Sequence, residues 1–350
     1  MDRKVGIPGL AMTFAGSILG AGYVSGQELF QYFGAYGENG IVGIVISIVL
    51  ITAFSFLVLW LTEKSKAATY DAVVIRFDNK CLKTVFGIVF TLLYYMVTIV
   101  MIAGIVSLSE QLFGISRLPV AVIVTAAVAV IVYFGVDGMV AVFTLSVPIL
   151  IVAAIIICMI QIFGGGLREI RFTEASVNPL LGGWLFSAVN YAACNGFASA
   201  GVLTPLEPRL KNKSAKFLGM IIGAAVLLLI AIAILAALAT CPGAVVYDLP
   251  MLSVAQTISP AVGYIYGVLL FLAMFGNAVA TFVAVMNYLL AKTVYVQRNK
   301  PAFIIVIGAV ACIAGMTGFS RLVGLVYPVI GYVGILTAVL MIEHAIHLRK

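Results

Sequence analysis

An all-α polytopic membrane protein with ten transmembrane helices is the fold class this sequence predicts, and three observations predict it. Of 350 residues, 63% are hydrophobic and only 9% are charged. The mean hydropathy of +1.20 leaves too little charged surface for a soluble globule. Apolar runs of about 20 residues, the length at which a helix crosses a hydrocarbon core roughly 30 Å thick, recur from end to end. The lipid bilayer is therefore the expected solvent, with one transmembrane domain over residues 1–350.

Reading apolar runs against charged or Gly/Pro breaks gives spans over 8–34, 40–62, 83–109, 118–134 and 139–162, then 183–203, 214–239, 260–291, 301–317 and 322–345. The first run is long and glycine-interrupted, unlike a cleaved leader, and reads as the first span. With the N-terminus in the cytoplasm, sixteen of the 20 Lys and Arg residues fall on that side, leaving Arg117, Arg168, Arg171 and Arg321 outside. Cytoplasmic loops retain basic residues during insertion, so this asymmetry puts both termini inside, in the cell (inner) membrane. It also accounts for the net charge of +7 without a nucleic-acid partner.

Five spans per half is an odd number, so a repeated half must enter the membrane from the opposite face. The expected 5+5 inverted repeat covers 8–162 and 183–345. Two echoes support it: Gly22-Tyr23-Val24-Ser25-Gly26 in span 1 resembles Gly196-Phe197-Ala198-Ser199-Ala200-Gly201 in span 6, and Tyr70-Asp71 between spans 2 and 3 matches Tyr247-Asp248 between spans 7 and 8.

Span 1 concentrates glycine and polar side chains where a lipid-embedded helix should be strongest. Gly16, Gly20, Gly22 and Gly26 weaken it, and unwinding there would free carbonyls for a cation and amides for an anion. The alternative is close packing through small-xxx-small contacts. Ser17, Gly20, Ala21, Gly22, Ser25 and Gly26 are accordingly candidate substrate-binding residues. Glu28 joins them as the one acid within a span away from its ends, a costly placement that suits a coupling proton, a cationic solute or a gate. Span 6 carries Asn195-Gly196 in its middle, the expected second interruption; the alternative is an Asn195 hydrogen bond inside a continuous helix. Tyr95 and Thr98 on span 3 could line the same pocket or pack as core. Asn277 and Thr281, one turn apart on span 8, offer oxygens suited to a hard monovalent cation.

Other chemistries lack their residues. The cysteines Cys81, Cys158, Cys194, Cys241 and Cys312 have no metal-ligand spacing, and His344 and His347 do not form a zincin pattern. No nucleotide-binding loop is present, and no nucleophile and base stand together, so no enzyme and no cofactor are expected.

Gly20-Ala21-Gly22-Tyr23-Val24-Ser25-Gly26-Gln27-Glu28, with the Asn195-Gly196 pair and ten spans, resembles the YkvI-like membrane proteins, which are similar to the amino acid, polyamine and organocation (APC) transporter superfamily with the LeuT fold. The resemblance implies spans 1 and 6 unwound around a midplane site, and transport by alternating access. It also implies a possible Na⁺ site formed by carbonyls of Leu19 and Gly22 with Thr281, which Asn277 would join. The expected function is then Na⁺- or H⁺-coupled symport of a small amino acid or related amine. A membrane sensor or channel on the same fold is the competing reading.

Overall fold

The computed structural model describes residues 5–66, 73–74, 80–134, 140–164, 177–210 and 213–349. Its helices are α1 (Ile7–Ile18), α2 (Ala21–Val24), α3 (Gln27–Tyr32), α4 (Glu38–Ser65), α5 (Lys80–Phe113), α6 (Arg117–Phe134) and α7 (Val140–Phe163). They continue as α8 (Trp184–Leu206), α9 (Lys213–Ala239), α10 (Pro250–Ile258), α11 (Pro260–Lys292), α12 (Val294–Arg298), α13 (Lys300–Gly315) and α14 (Phe319–Arg349). Among the described residues there is no strand, only an isolated bridge between Val5 and Leu210. Among the described residues six helices are long and apolar enough to cross a membrane: Glu38–Ser65, Thr84–Phe113, Arg117–Phe134, Lys213–Ala239, Pro260–Lys292 and Phe319–Leu348. Ile7–Ile18, Pro148–Phe163 and Lys300–Gly315 are shorter apolar helices.

Of the two expected discontinuities, the first is present and the second is not. The Leu19 amide still reaches back to the Ala15 carbonyl (2.9 Å), but the Gly20 amide closes onto Ile18 (2.7 Å) and the helix stops. Gly20 is extended (φ −81°, ψ 175°), and a single turn, α2, follows. Gly26 then takes the left-handed conformation (φ 81°), accessible to glycine at little cost, and α3 restarts on a new axis.

Several of the freed backbone groups are satisfied by protein, as an interruption within lipid requires. Val24 oxygen accepts from the Tyr266 hydroxyl (2.6 Å), and Ser25 oxygen from the amide of Met251 in α10 (2.9 Å). The Ser25 hydroxyl donates to Gly22 oxygen (2.9 Å).

The sixth segment, α8, runs unbroken through Asn195 and Gly196. Asn195 Nδ2 donates to the Tyr191 carbonyl one turn back (3.1 Å), so the amide braces the helix instead of interrupting it. Gly196 meets Phe54 of α4: a Cβ there would lie 2.8 Å from the ring, so the glycine serves a close helix crossing. Ser55 and Ser199 hydroxyls share a hydrogen bond at the same crossing (2.9 Å). On its other side α8 packs against α14, where a Cβ on Gly331 or Gly334 would collide with the Asn190 side chain or the Ala193 carbonyl. One sequence echo persists as geometry: the Ser199 hydroxyl donates to Gly196 oxygen (2.9 Å), just as Ser25 does to Gly22. Tyr70-Asp71 lies outside the described residues.

Chain direction gives the bundle two ends, one holding the start of α1 and the other the start of α14. At the α14 end, Asp248 accepts from the Phe319 (3.3 Å) and Ser320 (3.2 Å) amides and from the Ser107 hydroxyl (2.6 Å). A carboxylate at these orphan amides caps α14. Pro328 inside α14 has no N–H, which orphans the Gly324 carbonyl. Asn178 fills that vacancy with its Nδ2 (2.7 Å). At the α1 end, Lys216 holds Glu63 (2.8 Å) and Glu207, tying α4, the turn after α8, and α9 together.

Candidate functional site

The break in the first span opens onto a cavity of about 380 Å³. Ser17, Ile18 and Gly20 line it from the break itself, and Glu28 from α3. Leu93, Tyr94 and Val97 come from α5; Cys194, Asn195, Phe197, Ala198, Gly201 and Val202 from α8. Asn277, Ala280, Thr281 and Ala284 of α11 and Tyr327 and Ile330 of α14 complete the wall. From the break the lining runs along α5, α8 and α11 toward the α1 end of the bundle.

Toward the α14 end the cavity is sealed by hydrogen bonds. Gln27 Nε2 donates to the Ser320 hydroxyl (2.6 Å), and Gln31 Nε2 to the Ser320 carbonyl (2.8 Å). The Tyr32 hydroxyl donates to Asn190 Oδ1 (3.0 Å), and Asn190 Nδ2 to the Pro328 carbonyl (3.0 Å).

Glu28 is 5% exposed, and that exposure is to the cavity it lines. Tyr191 and Asn195 stand beside its carboxyl, and Tyr23, Tyr32, Cys194 and Tyr327 surround it at slightly longer range. No lysine, arginine or histidine pairs with it among the described residues. Gly22 makes the space: a Cβ there would lie 2.7 Å from Glu28 Oε2 and 3.1 Å from the Tyr327 hydroxyl. The carboxyl therefore lies folded over a residue with no side chain.

Of the sequence-derived candidates, Ser17, Gly20, Glu28, Asn195, Asn277 and Thr281 come together on this one wall. Ala21, Gly22, Ser25 and Gly26 do not line it; Gly26 faces Met251, Leu238 and Ile234. Gly196 faces Phe54, and the Leu19 side chain is buried in the core. Of the four groups expected to hold Na⁺, Gly22 oxygen is taken by Ser25. The Thr281 hydroxyl is engaged with the Asn277 carbonyl (2.8 Å) and the Thr98 hydroxyl (2.8 Å). The Leu19 carbonyl and the Asn277 side-chain oxygen accept no hydrogen bond among the described residues.

Tyr95 turns away from the cavity and donates to the Ile307 carbonyl of α13 (2.7 Å). Its neighbour Tyr94 takes the wall position instead. Tyr94 is four residues before Thr98, whose hydroxyl meets Thr281, and that i,i+4 relation is the signal that would have selected it. Phe197 and Tyr327 carry no comparable signal. Tyr95→Phe is expected to cost about 1 kcal/mol of stability by removing the hydroxyl's bond to the Ile307 carbonyl, with solute affinity unchanged; thermal unfolding alongside a binding isotherm checks it.

No protein-family model matches the chain. It is 27% identical over 331 residues to the uncharacterized membrane protein YkvI of Bacillus subtilis strain 168, covering 93% of this chain and 92% of that one. A shorter match, 33% over 89 residues, covers 25% of this chain and 25% of YyaD, an uncharacterized protein of the same organism. Among solved structures, a manganese transporter of Eremococcus coleocola (mutant H236A) superposes with a TM-score of 0.54 at 15% identity, over 94% of this chain and 76% of that one. The chain is thus a membrane protein similar in sequence to YkvI and in fold to a transporter.

Proposed function

We propose that the chain is a secondary active transporter working by alternating access, with ten spans in two inverted sets of five and both termini cytoplasmic. Its substrate is a small amino acid or related amine, and its driving force a proton or sodium gradient. The observation that carries this reading is the cavity at the interrupted first span, which holds a buried, unpaired carboxyl and is hydrogen-bonded shut at one end. With the termini inside, the closed end faces outward and the cavity reaches toward the cytoplasm. The short α2 and α3 segments, joined through Gly20 and Gly26, supply the bistable element on which alternating access depends.

The donor set favours an organic solute over a divalent metal, the cargo named for the manganese transporter that shares the fold. Among the described residues no group of three or more His, Cys, Asp and Glu could hold a metal ion. Glu28 is the one acid on the cavity wall. For Na⁺, the Leu19 carbonyl accepts no hydrogen bond among the described residues, but the engaged Gly22 and Thr281 oxygens would first have to exchange partners.

Proteoliposomes test the proposal. Saturable uptake driven by an imposed proton or sodium gradient is expected; uptake indifferent to both removes the coupling claim. A steep current without saturation marks a channel, and binding with neither uptake nor current a sensor. Ser320→Ala, which releases Gln27 and leaves Gln31 only its bond to the Ser320 carbonyl, is expected to raise outward-facing occupancy several-fold, read as faster modification of Cys194 by an impermeant thiol reagent added outside.

A further inference from the structure

We infer that the solute is a primary amine carried as its ammonium ion and lacking an α-carboxylate; the inference rests on the carrier reading and narrows its substrate class. The evidence is the charge of the cavity wall, taken with the hydrogen bonds its polar groups already make. Several of its donors are engaged within the protein: Ser17 hydroxyl to the Phe14 carbonyl (2.7 Å), one N–H of Asn195 Nδ2 to the Tyr191 carbonyl (3.1 Å), and one N–H of Asn277 Nδ2 to Met101 Sδ (3.6 Å). The Thr281 hydroxyl is held by Asn277 and Thr98.

What remains on the wall is one carboxyl, Glu28, among neutral groups: the Tyr94 and Tyr327 hydroxyls and the carboxamides of Asn195 and Asn277. A positively charged ligand with N–H donors finds an anionic partner there, whereas a carboxylate finds no cation to pair with. No lysine, arginine or histidine lines the cavity. At the break the Gly20, Tyr23 and Val24 amides are bonded to the Ile18 and Gly20 carbonyls, and Ala21 and Gly22 do not line the cavity. The unbroken α8 exposes no mid-span amides of its own. A desolvated carboxylate left unpaired there would carry a heavy penalty. Leu93, Val97, Phe197 and Val202 form the apolar part of the wall and fit a hydrocarbon body on the amine.

Matched pairs differing only in the carboxylate separate the possibilities: phenethylamine against phenylalanine, and isoamylamine against leucine, titrated into the purified full chain at neutral pH. The amines are expected to bind at least about tenfold tighter than their amino acids. Glu28→Gln is expected to lose about tenfold in amine affinity, and Glu28→Asp, which keeps the charge, to retain most of it. An amino acid binding as tightly as its amine, or Glu28→Gln binding the amine normally, overturns the assignment. Saturable amino acid uptake in the same preparation would leave the carrier reading standing. Binding of neither member of both pairs overturns the amine assignment too, and absence of gradient-driven accumulation of any amine or amino acid in vesicles takes the carrier reading with it.

Discussion

Replacing Glu28 by Gln is expected to lower solute uptake by on the order of tenfold to a thousandfold, the range that follows from removing one partner of a desolvated ion pair. Folding should not suffer. Glu28 has no cationic partner in the protein, so Gln removes a charge whose burial is uncompensated when the cavity is empty, and the melting temperature should hold or rise. Uptake and thermal unfolding measured on one preparation therefore move in different directions. Normal uptake with lowered stability would make Glu28 a structural residue.

Gly22→Ala and Gly196→Ala should part company just as sharply. A methyl group at Gly22 lands 2.7 Å from Glu28 Oε2 and 3.1 Å from the Tyr327 hydroxyl. It must push the carboxyl into the cavity, so solute binding is expected to fall at least about tenfold, while packing elsewhere is untouched. A methyl group at Gly196 lands 2.8 Å from Cδ1 of Phe54, on the face turned away from the cavity. Overpacking of that α4–α8 crossing is expected to cost about 1–3 kcal/mol of stability, with affinity in the surviving folded protein little changed. Ligand titration and thermal unfolding of the two variants check both halves. Equal loss of binding in both would put Gly196 back at the site.

These contrasts mark where sequence reasoning succeeded and where it stopped. Hydropathy located the helices because lipid demands long apolar runs. The glycine-rich middle of span 1 revealed its interruption because several weak helix formers coincided with polar side chains. The same logic misread Asn195-Gly196: one asparagine can bond its own helix, and one glycine can serve a neighbour's ring, so a pair of permissive residues does not oblige a helix to unwind. Ser17, Glu28, Asn195, Asn277 and Thr281 were legible as polar groups within spans, and Gly20 as a weak helix former. Tyr94 was not distinguished from Tyr95, because adjacent helical residues point about 100° apart and only the partner helix decides which is inward. Tyr327 owes its place to the path of α14 past Pro328, which no local pattern encodes.

Alternating access is the central claim, and Cys194 offers a direct probe because it lies on the cavity wall. With the other cysteines replaced by serine, an impermeant maleimide can be applied to one face of the membrane at a time. Rapid modification from the cytoplasmic face and slow modification from outside are expected, with the ratio shifting when a bound solute changes which end is open. Equally rapid modification from both faces, unaffected by any solute, would mean a continuous pore and contradict the account.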